Sequence, residues 1–406
     1  MPLTHRSEHA RSEWPNDELD IDALVGSGWR PVPITQFILK VHSRCNLACT
    51  YCYVYEHADQ SWRDRPRRMS EETLTDAARR IGQHAAAHRV KRVAIVFHGG
   101  EPLLTGSAYL RRAVDLLQDA LPPGVTLDAS LQTNGVLLDE ATLDVLRSRN
   151  IRIGVSIDGT RAAHDRHRRY LDGSSSGPAV ERALALLTRP ENRGIYAGLL
   201  CVIDLDQEPI EAYARLAGFD PPRLDFLLPH GDWTTRPPGR PDDASTPYAD
   251  WLIPIFERWY ADSGNRPGIR LFEEIIQLLI GGRSRSENVG LSPVATLVVE
   301  TDGAIEQVDT LRNAYAGAAA TGLHVRTDSI DAALRHPGVV ARQIGVEALA
   351  PECRQCRFGK VCGGGFYGHR YRTGSGFRNP SVYCPDLFAL AKRIRSTIAQ
   401  DLGGHS

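Results

Sequence analysis

Seven of the eight cysteines in this 406-residue sequence fall into two groups with short internal spacing. In a reducing compartment, cysteines grouped in this way indicate metal ligands or catalytic groups rather than disulfides. The eighth, Cys201, lies in an apolar run and is interpreted as a small buried strand residue. The two groups are Cys45, Cys49 and Cys52, and Cys353, Cys356, Cys362 and Cys384.

The first group has the spacing CxxxCxxC and directly follows the first predicted strand. Three thiolates can hold three irons of a 4Fe–4S cube and leave the fourth iron open to a small chelating ligand. A zinc site is the alternative, and it needs a fourth ligand, for which His42 or His57 is available. In a parallel αβ barrel, the loops that follow the strands form the catalytic face, which suits either interpretation.

Short apolar runs alternate with amphipathic segments from residue 37 to residue 228. This alternation predicts an α/β fold with a parallel sheet and right-handed crossovers, and we favour a partial barrel of six βα units over a flat doubly wound sheet. The predicted strands are Phe37–Val41, Arg92–Phe97, Thr126–Leu131, Ile151–Ser156, Tyr196–Ile203 and Leu224–Leu228, and the predicted helices are Glu71–His88, Ala108–Leu121, Glu140–Ser148, Pro178–Leu187 and Glu208–Ala217.

The pattern changes after Gly281. Two helices are predicted before it, at Pro247–Ala261 and Phe272–Ile280, and a hairpin turning at Asp302–Gly303 follows it. A cysteine-rich and glycine-rich segment then leads to a terminal helix, Pro385–Ile398. The predicted divisions are an irregular lead-in over 1–34, the barrel over 35–285 and an iron–sulfur domain over 286–406.

The composition of the sequence limits the kinds of binding partner and the cellular compartment that can be expected. The formal net charge is −1, so bulk electrostatics favours neither nucleic acid nor a membrane surface. No apolar run has the length of about 18 residues that a transmembrane helix needs. The first 14 residues are polar and of mixed charge, without the apolar core of a signal peptide. A cytoplasmic protein is expected.

Further motifs follow successive predicted strands. Gly99-Gly100-Glu101-Pro102 follows the second strand, Gln132-Thr-Asn-Gly135 the third, and Ser156 ends the fourth, with Arg168 shortly after. Glycines allow the backbone to approach a ligand, and a carboxylate can pair with an ammonium group.

With CxxxCxxC and Tyr51 before its third cysteine, these motifs resemble the radical S-adenosylmethionine (SAM) superfamily. The resemblance implies that Gly99, Gly100 and Glu101 hold the methionine amino group of SAM. It also implies that Ser156 and Arg168 contact the sugar and carboxylate parts. The cysteines of the first group would then hold the SAM-binding 4Fe–4S cluster.

The second cysteine group resembles the SPASM-type C-terminal extension of peptide-modifying radical SAM enzymes. The sequence departs from that pattern at Val308 and Phe366, which occupy two ligand positions of the inner auxiliary cluster. The four remaining cysteines match the complete ligand set of the outer one. The resemblance therefore implies a single auxiliary 4Fe–4S cluster, and a structural zinc knot on the same residues is the alternative.

The segments 49–59, 300–309 and 379–384 resemble FxsB-type radical SAM/SPASM maturases. That likeness implies hydrogen abstraction from a ribosomally made precursor peptide and a crosslink from an aromatic carbon to a β-carbon, a three-residue cyclophane. An electron donor such as flavodoxin or ferredoxin is the implied partner. Asp309, beside the vacated ligand position, is the candidate general base. His230 and Asp232 are weaker candidates, and Asp309 as a merely hydrogen-bonded hairpin residue is the plainer interpretation.

Other functions remain open on sequence alone. Formylglycine formation in a sulfatase and thioether formation in a peptide are the enzymatic alternatives. An iron–sulfur electron carrier or a zinc-stapled binding module is the non-enzymatic alternative, against which the SAM motifs argue. Because 36 residues precede the first predicted strand, no built-in leader-binding domain is expected.

Overall fold

The computed structural model describes residues 13–16, 18–264 and 266–403. Within them, ten strands form one sheet in the order β12-β11-β10-β1-β3-β4-β5-β7-β8-β9, and β2 pairs with β6 apart from it. The strands are β1 (Gln36–His42), β2 (Leu47–Cys49), β3 (Arg92–Gly99), β4 (Thr126–Thr133), β5 (Arg152–Ser156), β6 (Arg168–Tyr170), β7 (Tyr196–Val202), β8 (Arg223–Leu227), β9 (Gly268–Ile269), β10 (Thr296–Val299), β11 (Ala304–Glu306) and β12 (Ala320–His324).

Helices follow most of the strands and cover one face of the sheet. None of those in the described part of the chain is both long enough and apolar enough to span a membrane. The helices are α1 (Ile21–Gly26), α2 (Glu71–Ala87), α3 (Ser107–Ala120), α4 (Glu140–Ser148), α5 (Arg161–His167), α6 (Gly177–Leu187), α7 (Pro209–Ala217), α8 (Pro247–Ala261), α9 (Arg270–Leu279), α10 (Ile330–Ala333), α11 (Pro337–Ala341), α12 (Pro351–Gln355), α13 (Gly359–Cys362) and α14 (Cys384–Gly403).

The parallel strands β1, β3, β4, β5, β7 and β8 lie side by side in chain order. A doubly wound sheet reverses its strand order at a switch point, and this sheet does not. The predicted α/β class with a partial barrel of six βα units is confirmed by this order. All six carboxyl ends therefore open onto the same face of the barrel.

Alternate residues of each strand face two different environments. In β1, Phe37, Leu39 and Val41 are fully buried in the apolar core between sheet and helices. The intervening Gln36 and Ile38 line a cavity of about 1100 Å³ that occupies the inside of the barrel. The period of two along a strand produces this division. The barrel interior is therefore a space that a substrate can enter.

The hairpin after residue 285 extends the barrel sheet. β10 pairs in parallel with β1, with Gln36 opposite Thr296 and Leu39 opposite Val299. β11 then pairs antiparallel with β10 through the predicted turn at Asp302–Gly303. Because the sheet continues across it, the boundary at 285/286 stays a proposal about domains rather than a visible gap.

Part of the predicted lead-in, residues 1–12 and 17, lies outside the described residues. Beyond them, Trp14 is only 2% exposed and its carbonyl accepts a hydrogen bond of 3.1 Å from the Phe377 N–H. The Trp14 ring also contacts Tyr367 at a centroid distance of 6.4 Å. This part of the lead-in therefore packs against the cysteine-rich C-terminal segment.

Candidate active site

The loop that carries the first three cysteines leaves the carboxyl end of β1. Leu47 N–H donates a hydrogen bond of 3.4 Å to Cys45 Sγ. Burial, together with the nearby Glu101, Cys49 and Cys52, raises the pKa of the Cys45 thiol to about 12. The structure thus brings the three thiols of the motif together beside Glu101. Thiols with raised pKa values that lie this close together bind protons or a metal ion, and the second outcome suits a cluster.

The Gly99–Glu101 segment is held directly against the chain that precedes the cysteine loop. Gly100 N–H donates to His42 O at 2.8 Å, and Glu101 N–H donates to Arg44 O at 3.0 Å. A Cβ atom on Gly100 would lie 1.9 Å from Tyr55 Oη and 2.4 Å from the Arg44 backbone. Only glycine permits this close approach, which places the Glu101 carboxylate next to the cysteines.

The Glu101 carboxylate is fully buried and accepts three hydrogen bonds. Its donors are Leu103 N–H at 3.0 Å, Thr133 Oγ1–H at 2.6 Å and Asn134 N–H at 2.8 Å. Burial raises the pKa of Glu101, and these hydrogen bonds only partly oppose it. An ammonium group bound here would restore the ionised carboxylate, so the site fits the amino group of SAM.

A second link joins β4 to the cysteine loop. Asn134 Nδ2 donates to Asn46 Oδ1 at 2.8 Å and lies 3.7 Å from Cys45 Sγ. Gln132, two residues earlier, donates to Ser156 Oγ at 2.9 Å. Ser156 is thereby fixed at the carboxyl end of β5, on the same barrel face as Glu101.

Arg168 reaches the cysteine loop through an element that the sequence did not predict. β6 pairs antiparallel with β2, and this places Arg168 opposite Cys49. Arg168 Nη1 donates to Tyr51 Oη at 3.0 Å, and the Tyr51 hydroxyl donates to Asp158. The buried Nε of Arg168 has no hydrogen-bond partner in the described part of the chain. A buried guanidinium donor of this kind fits a carboxylate ligand such as that of SAM.

The four C-terminal cysteines also converge. They lie in or beside helices: Cys353 is in α12 and Cys356 follows it, Cys362 ends α13, and Cys384 begins the 20-residue helix α14. Burial, together with the neighbouring Cys384, raises the pKa of Cys353 to about 11 and that of Cys362 to about 12. Cys356 in turn raises the pKa of Cys384, after burial. The four thiols therefore belong to one site.

The donor set of both groups fits iron–sulfur clusters. The first group supplies three thiols and the second supplies four, and cysteine thiolates are the usual ligands of 4Fe–4S clusters. Within the described residues, the one set of three potential ligand atoms that lie within 4.8 Å of one another is His84, His88 and Asp331, which belongs to neither cysteine group.

Asp309 lies at the mouth of the barrel and lines the cavity. Its carboxylate forms an ion pair with Lys40 and accepts a hydrogen bond of 2.8 Å from Tyr53 Oη. Lys40 Nζ also lies 3.1 Å from His98 Nδ1. Burial alone would raise the pKa of Asp309, but Lys40 and the hydrogen bonds hold it below the usual value. Because Tyr53 directly follows Cys52, Asp309 faces the first cysteine loop.

The two weaker candidates differ in position. His230 lines the cavity, burial lowers its pKa to about 4, and its Nδ1 has no partner among the described residues. Asp232 instead caps a turn, since its Oδ1 accepts from Thr234 N–H at 2.7 Å and Thr235 N–H at 2.8 Å. His230 is therefore placed to contact a molecule in the cavity, whereas the Asp232 carboxylate stabilises a turn.

Comparisons with known proteins agree with this geometry. Residues 39–217 match the radical SAM superfamily. The chain contains a radical SAM domain. It is 28% identical over 283 residues to the cysteine-type anaerobic sulfatase-maturating enzyme of Clostridium perfringens (strain 13), covering 68% of this chain and 74% of the relative. It is 27% identical over 354 residues to the serine-type enzyme of Klebsiella aerogenes, covering 85% and 82%.

Solved structures share the fold of the radical SAM domain and of the segment after it. The structure described as native anSMEcpe with bound AdoMet superposes with a TM-score of 0.76 at 22% identity, covering 90% of this chain and 98% of that one. Streptococcus suis SuiB bound to S-adenosylmethionine superposes with a TM-score of 0.58 at 16% identity, covering 89% and 80%. The radical SAM match implies SAM and a 4Fe–4S cluster as cofactors, for which the first cysteine group supplies the ligands. The four C-terminal cysteines supply a complete ligand set for an auxiliary cluster.

Sequence reasoning missed two residues of the radical SAM domain that surround Asp309. Lys40 lies in the apolar strand β1 and is 3% exposed, and His98 lies near the end of β3. Only four lysines occur in the chain, so one inside an otherwise apolar strand was an available signal. A buried lysine needs a carboxylate partner, and Asp309 supplies it.

Proposed function

We propose that this protein is a radical SAM peptide maturase that joins an aromatic carbon of a precursor peptide to the β-carbon of another residue. One observation carries the proposal. Val308 and Phe366, which stand where the resembling enzymes have ligands of an inner auxiliary cluster, line the cavity together with Asp309. The volume that an inner cluster would occupy in the resembling enzymes is therefore available to a substrate in this protein.

The walls of that space suit an aromatic side chain. Tyr53, His230, Phe366 and His369 form a continuous aromatic surface, with ring-centroid distances of 5.0 Å, 6.1 Å and 5.1 Å between successive pairs. Aromatic rings pack edge-to-face or offset at such distances. Both ring nitrogens of His369 and Nδ1 of His230 are buried without partners among the described residues. They can hydrogen-bond to the polar groups of a bound peptide.

The chemistry follows from the position of Asp309. When bound, SAM and the first cluster supply a radical that removes a hydrogen atom from the β-carbon, and the auxiliary cluster supplies a one-electron acceptor. Attack of the carbon radical on the aromatic ring forms the new bond. One electron and one proton must then leave the ring. The Asp309 carboxylate is placed to take that proton, and loss of the proton restores aromaticity, so a base of low pKa is sufficient.

A second candidate function is formylglycine formation in a sulfatase. The similarity to sulfatase-maturating enzymes from two bacteria, over more than two thirds of the chain, favours it. That reaction requires a proton to leave a cysteine thiol, with an ordinary pKa near 8.5, or a serine hydroxyl. Asp309, whose pKa is lowered by Lys40 against the effect of burial, is a weak base for that task.

One experiment distinguishes the two functions. The reconstituted protein is incubated anaerobically with SAM, a reductant and one of two synthetic peptides. The first carries aromatic residues near its C-terminus, and the second is a sulfatase peptide of similar length that carries cysteine or serine. Crosslinking removes two hydrogens and suppresses fragmentation between the bridged residues in tandem mass spectrometry. Formylglycine is detected as an aldehyde with a hydrazine reagent. Aldehyde in the sulfatase peptide, with no crosslink in the aromatic peptide, would overturn the proposal.

A further inference from the structure

Four exposed cations lie on the two segments that carry the C-terminal cysteines, residues 351–362 and helix α14. We call Arg357, Lys360, Lys392 and Arg395 the cationic patch. Neighbouring arginines are paired, Arg354 with Glu347 at 3.7 Å and Arg393 with Glu257 at 2.6 Å. Within the described part of the chain, no carboxylate forms an ion pair with a member of the patch.

Two of the patch residues are held in place by aromatic rings. The Arg357 guanidinium lies 5.2 Å from the ring centroid of Phe358 and 4.8 Å from that of Phe388. The Arg395 guanidinium lies 5.0 Å from the Phe358 ring. Cation–π contacts hold the guanidinium planes against the surface. Two charges are therefore fixed in position, unlike those on freely moving surface side chains.

The patch adjoins the cluster ligands. Arg357 directly follows Cys356, and Phe358 N–H donates a hydrogen bond of 3.4 Å to Cys356 Sγ. Cys356 is half-buried, whereas Cys353 is 8% exposed. The Cys356 side is thus an edge at which this site approaches solvent, and Arg357 and Arg395 flank it.

The positive charge is local. The whole chain has 48 basic and 49 acidic residues, so its overall charge does not attract an acidic partner. Over 351–362, the one carboxylate in the sequence is Glu352. In α14, Asp386 is buried and pairs with Arg240 at 3.2 Å, so it does not neutralise the patch. A fixed local field of this kind steers an oppositely charged partner to one spot.

We propose that the cationic patch docks an acidic one-electron carrier protein of the flavodoxin or ferredoxin class, beside the cluster bound by the four C-terminal cysteines. Each turnover of the proposed crosslinking leaves one electron to be removed. The oxidised carrier accepts that electron and is reduced by one equivalent. Docking itself depends only on the patch and the auxiliary site, so it can hold even if the peptide product differs from the one proposed.

The test uses the holoenzyme and a purified, oxidised, acidic flavodoxin as probe. Its Kd is measured by fluorescence anisotropy under anaerobic conditions for the wild type and for Arg357→Glu/Arg395→Glu. A like-charge contact opposes docking, so the double variant should bind about 10- to 100-fold more weakly at low salt. The difference should shrink at high salt, where the screening length falls.

Two further double variants control for overall charge and for loss of the cluster. Arg111→Glu/Arg112→Glu reverses two exposed charges on α3 and changes the net charge equally, so it should leave Kd unchanged. Lys392→Glu/Arg395→Glu alters the patch only on α14 and changes no residue between Cys353 and Cys362. This second patch variant keeps the test valid if the first variant loses its cluster. Reduction by dithionite, followed by EPR spin counting, should be equal in all proteins because a small reductant needs no docking surface.

The rate at which oxidised flavodoxin reoxidises the dithionite-reduced auxiliary site gives a second readout. It should fall with Kd in both patch variants. Unchanged binding and rate in both would overturn the proposal. Equal weakening in the α3 variant would also overturn it, because the effect would then come from overall charge. If the patch variants weaken peptide binding alone, the patch serves the peptide instead.

Discussion

The ion pair between Lys40 and Asp309 allows catalysis and stability to be separated by two substitutions. Both side chains are only 4% exposed. In Asp309→Asn, the lysine ammonium loses its carboxylate inside the barrel. Breaking a buried ion pair from one side costs about 3–5 kcal/mol. A domain typically has about 5–15 kcal/mol of stability, so the variant should fold with a clearly lower Tm.

The same variant should lose crosslinking much more than SAM cleavage. If Asp309 acts as general base after the carbon–carbon bond forms, its removal lowers crosslink formation about 100- to 10,000-fold. Hydrogen abstraction precedes that step, so 5′-deoxyadenosine should still form when peptide is present. Deuterium placed at the abstracted β-position should still appear in it. The assay is mass spectrometry of peptide and nucleoside from the same reaction.

Lys40→Met/Asp309→Asn removes the unpaired charge and should regain most of the lost Tm. It should not regain crosslinking, because the base is still absent. Asp232→Asn is the matched control, since Asp232 is also buried but caps a turn, and it should crosslink within a few-fold of the wild type. Crosslinking by the double variant at the wild-type rate would refute the role of Asp309. Loss of SAM cleavage in both variants would assign Asp309 to binding or folding, and His230 would be tested next.

The sign of the pH dependence follows from the lowered pKa of Asp309. A carboxylate with a depressed folded-state pKa stabilises the fold above its unfolded pKa, and that contribution disappears as pH falls through the folded value. Across roughly pH 6 to 9 Asp309 stays ionised, so it should add no acidic limb to the crosslinking rate. An acidic limb that disappears in Asp309→Asn would contradict the ion pair.

Two further predictions concern the cofactor sites. Iron analysis of the reconstituted protein should give about eight irons per chain. The variant with alanine at Cys45, Cys49 and Cys52 should retain about four irons and should not cleave SAM. A wild-type protein with about four irons and with zinc in place of the rest would refute the auxiliary cluster. Gly100→Ala should sharply weaken SAM binding, as measured by equilibrium dialysis, because the added Cβ would lie 1.9 Å from Tyr55 Oη. Gly26→Ala is the control: its Cβ would have no atom within 4 Å, so this variant should bind SAM normally.

The sequence predicted the barrel well because each barrel element leaves a local pattern. Helix α4 begins and ends at the predicted residues, Glu140 and Ser148. The six barrel strands appear within two residues of their predicted limits because their apolar runs end in polar motifs. Cys201 is fully buried in β7, as predicted. Local composition is sufficient for these features.

Features that depend on pairing between distant segments were not predictable in this way. β10 joins β1 in parallel across about 260 residues of sequence, and no local signal specifies that neighbour. The three-residue strands β2 and β6 are too short to show a period, yet their pairing sets Arg168 opposite Cys49. The role of Lys40 likewise follows only from the fold, because its partner lies 269 positions away at Asp309.

A network of buried charges holds the end of the hairpin in place, at the position where the resembling enzymes have a cluster ligand. Arg312 Nη2 donates to Glu300 Oε1 at 2.7 Å and to Glu306 Oε2 at 3.0 Å. Arg65 Nη2 donates to Glu306 Oε1 at 2.5 Å. The two carboxylates belong to the hairpin strands and their turn, and Arg312 lies in the helical turn that begins with Asp309.

Removing one member of this network would leave another buried charge unpaired, which costs about 3–5 kcal/mol of folding stability. The ion network therefore fixes the direction in which Asp309 enters the cavity, and it does so with protein groups alone. A cysteine at position 308 is then not required to keep the hairpin in place. The position is free to carry Val308, whose apolar side chain borders the space proposed for an aromatic substrate.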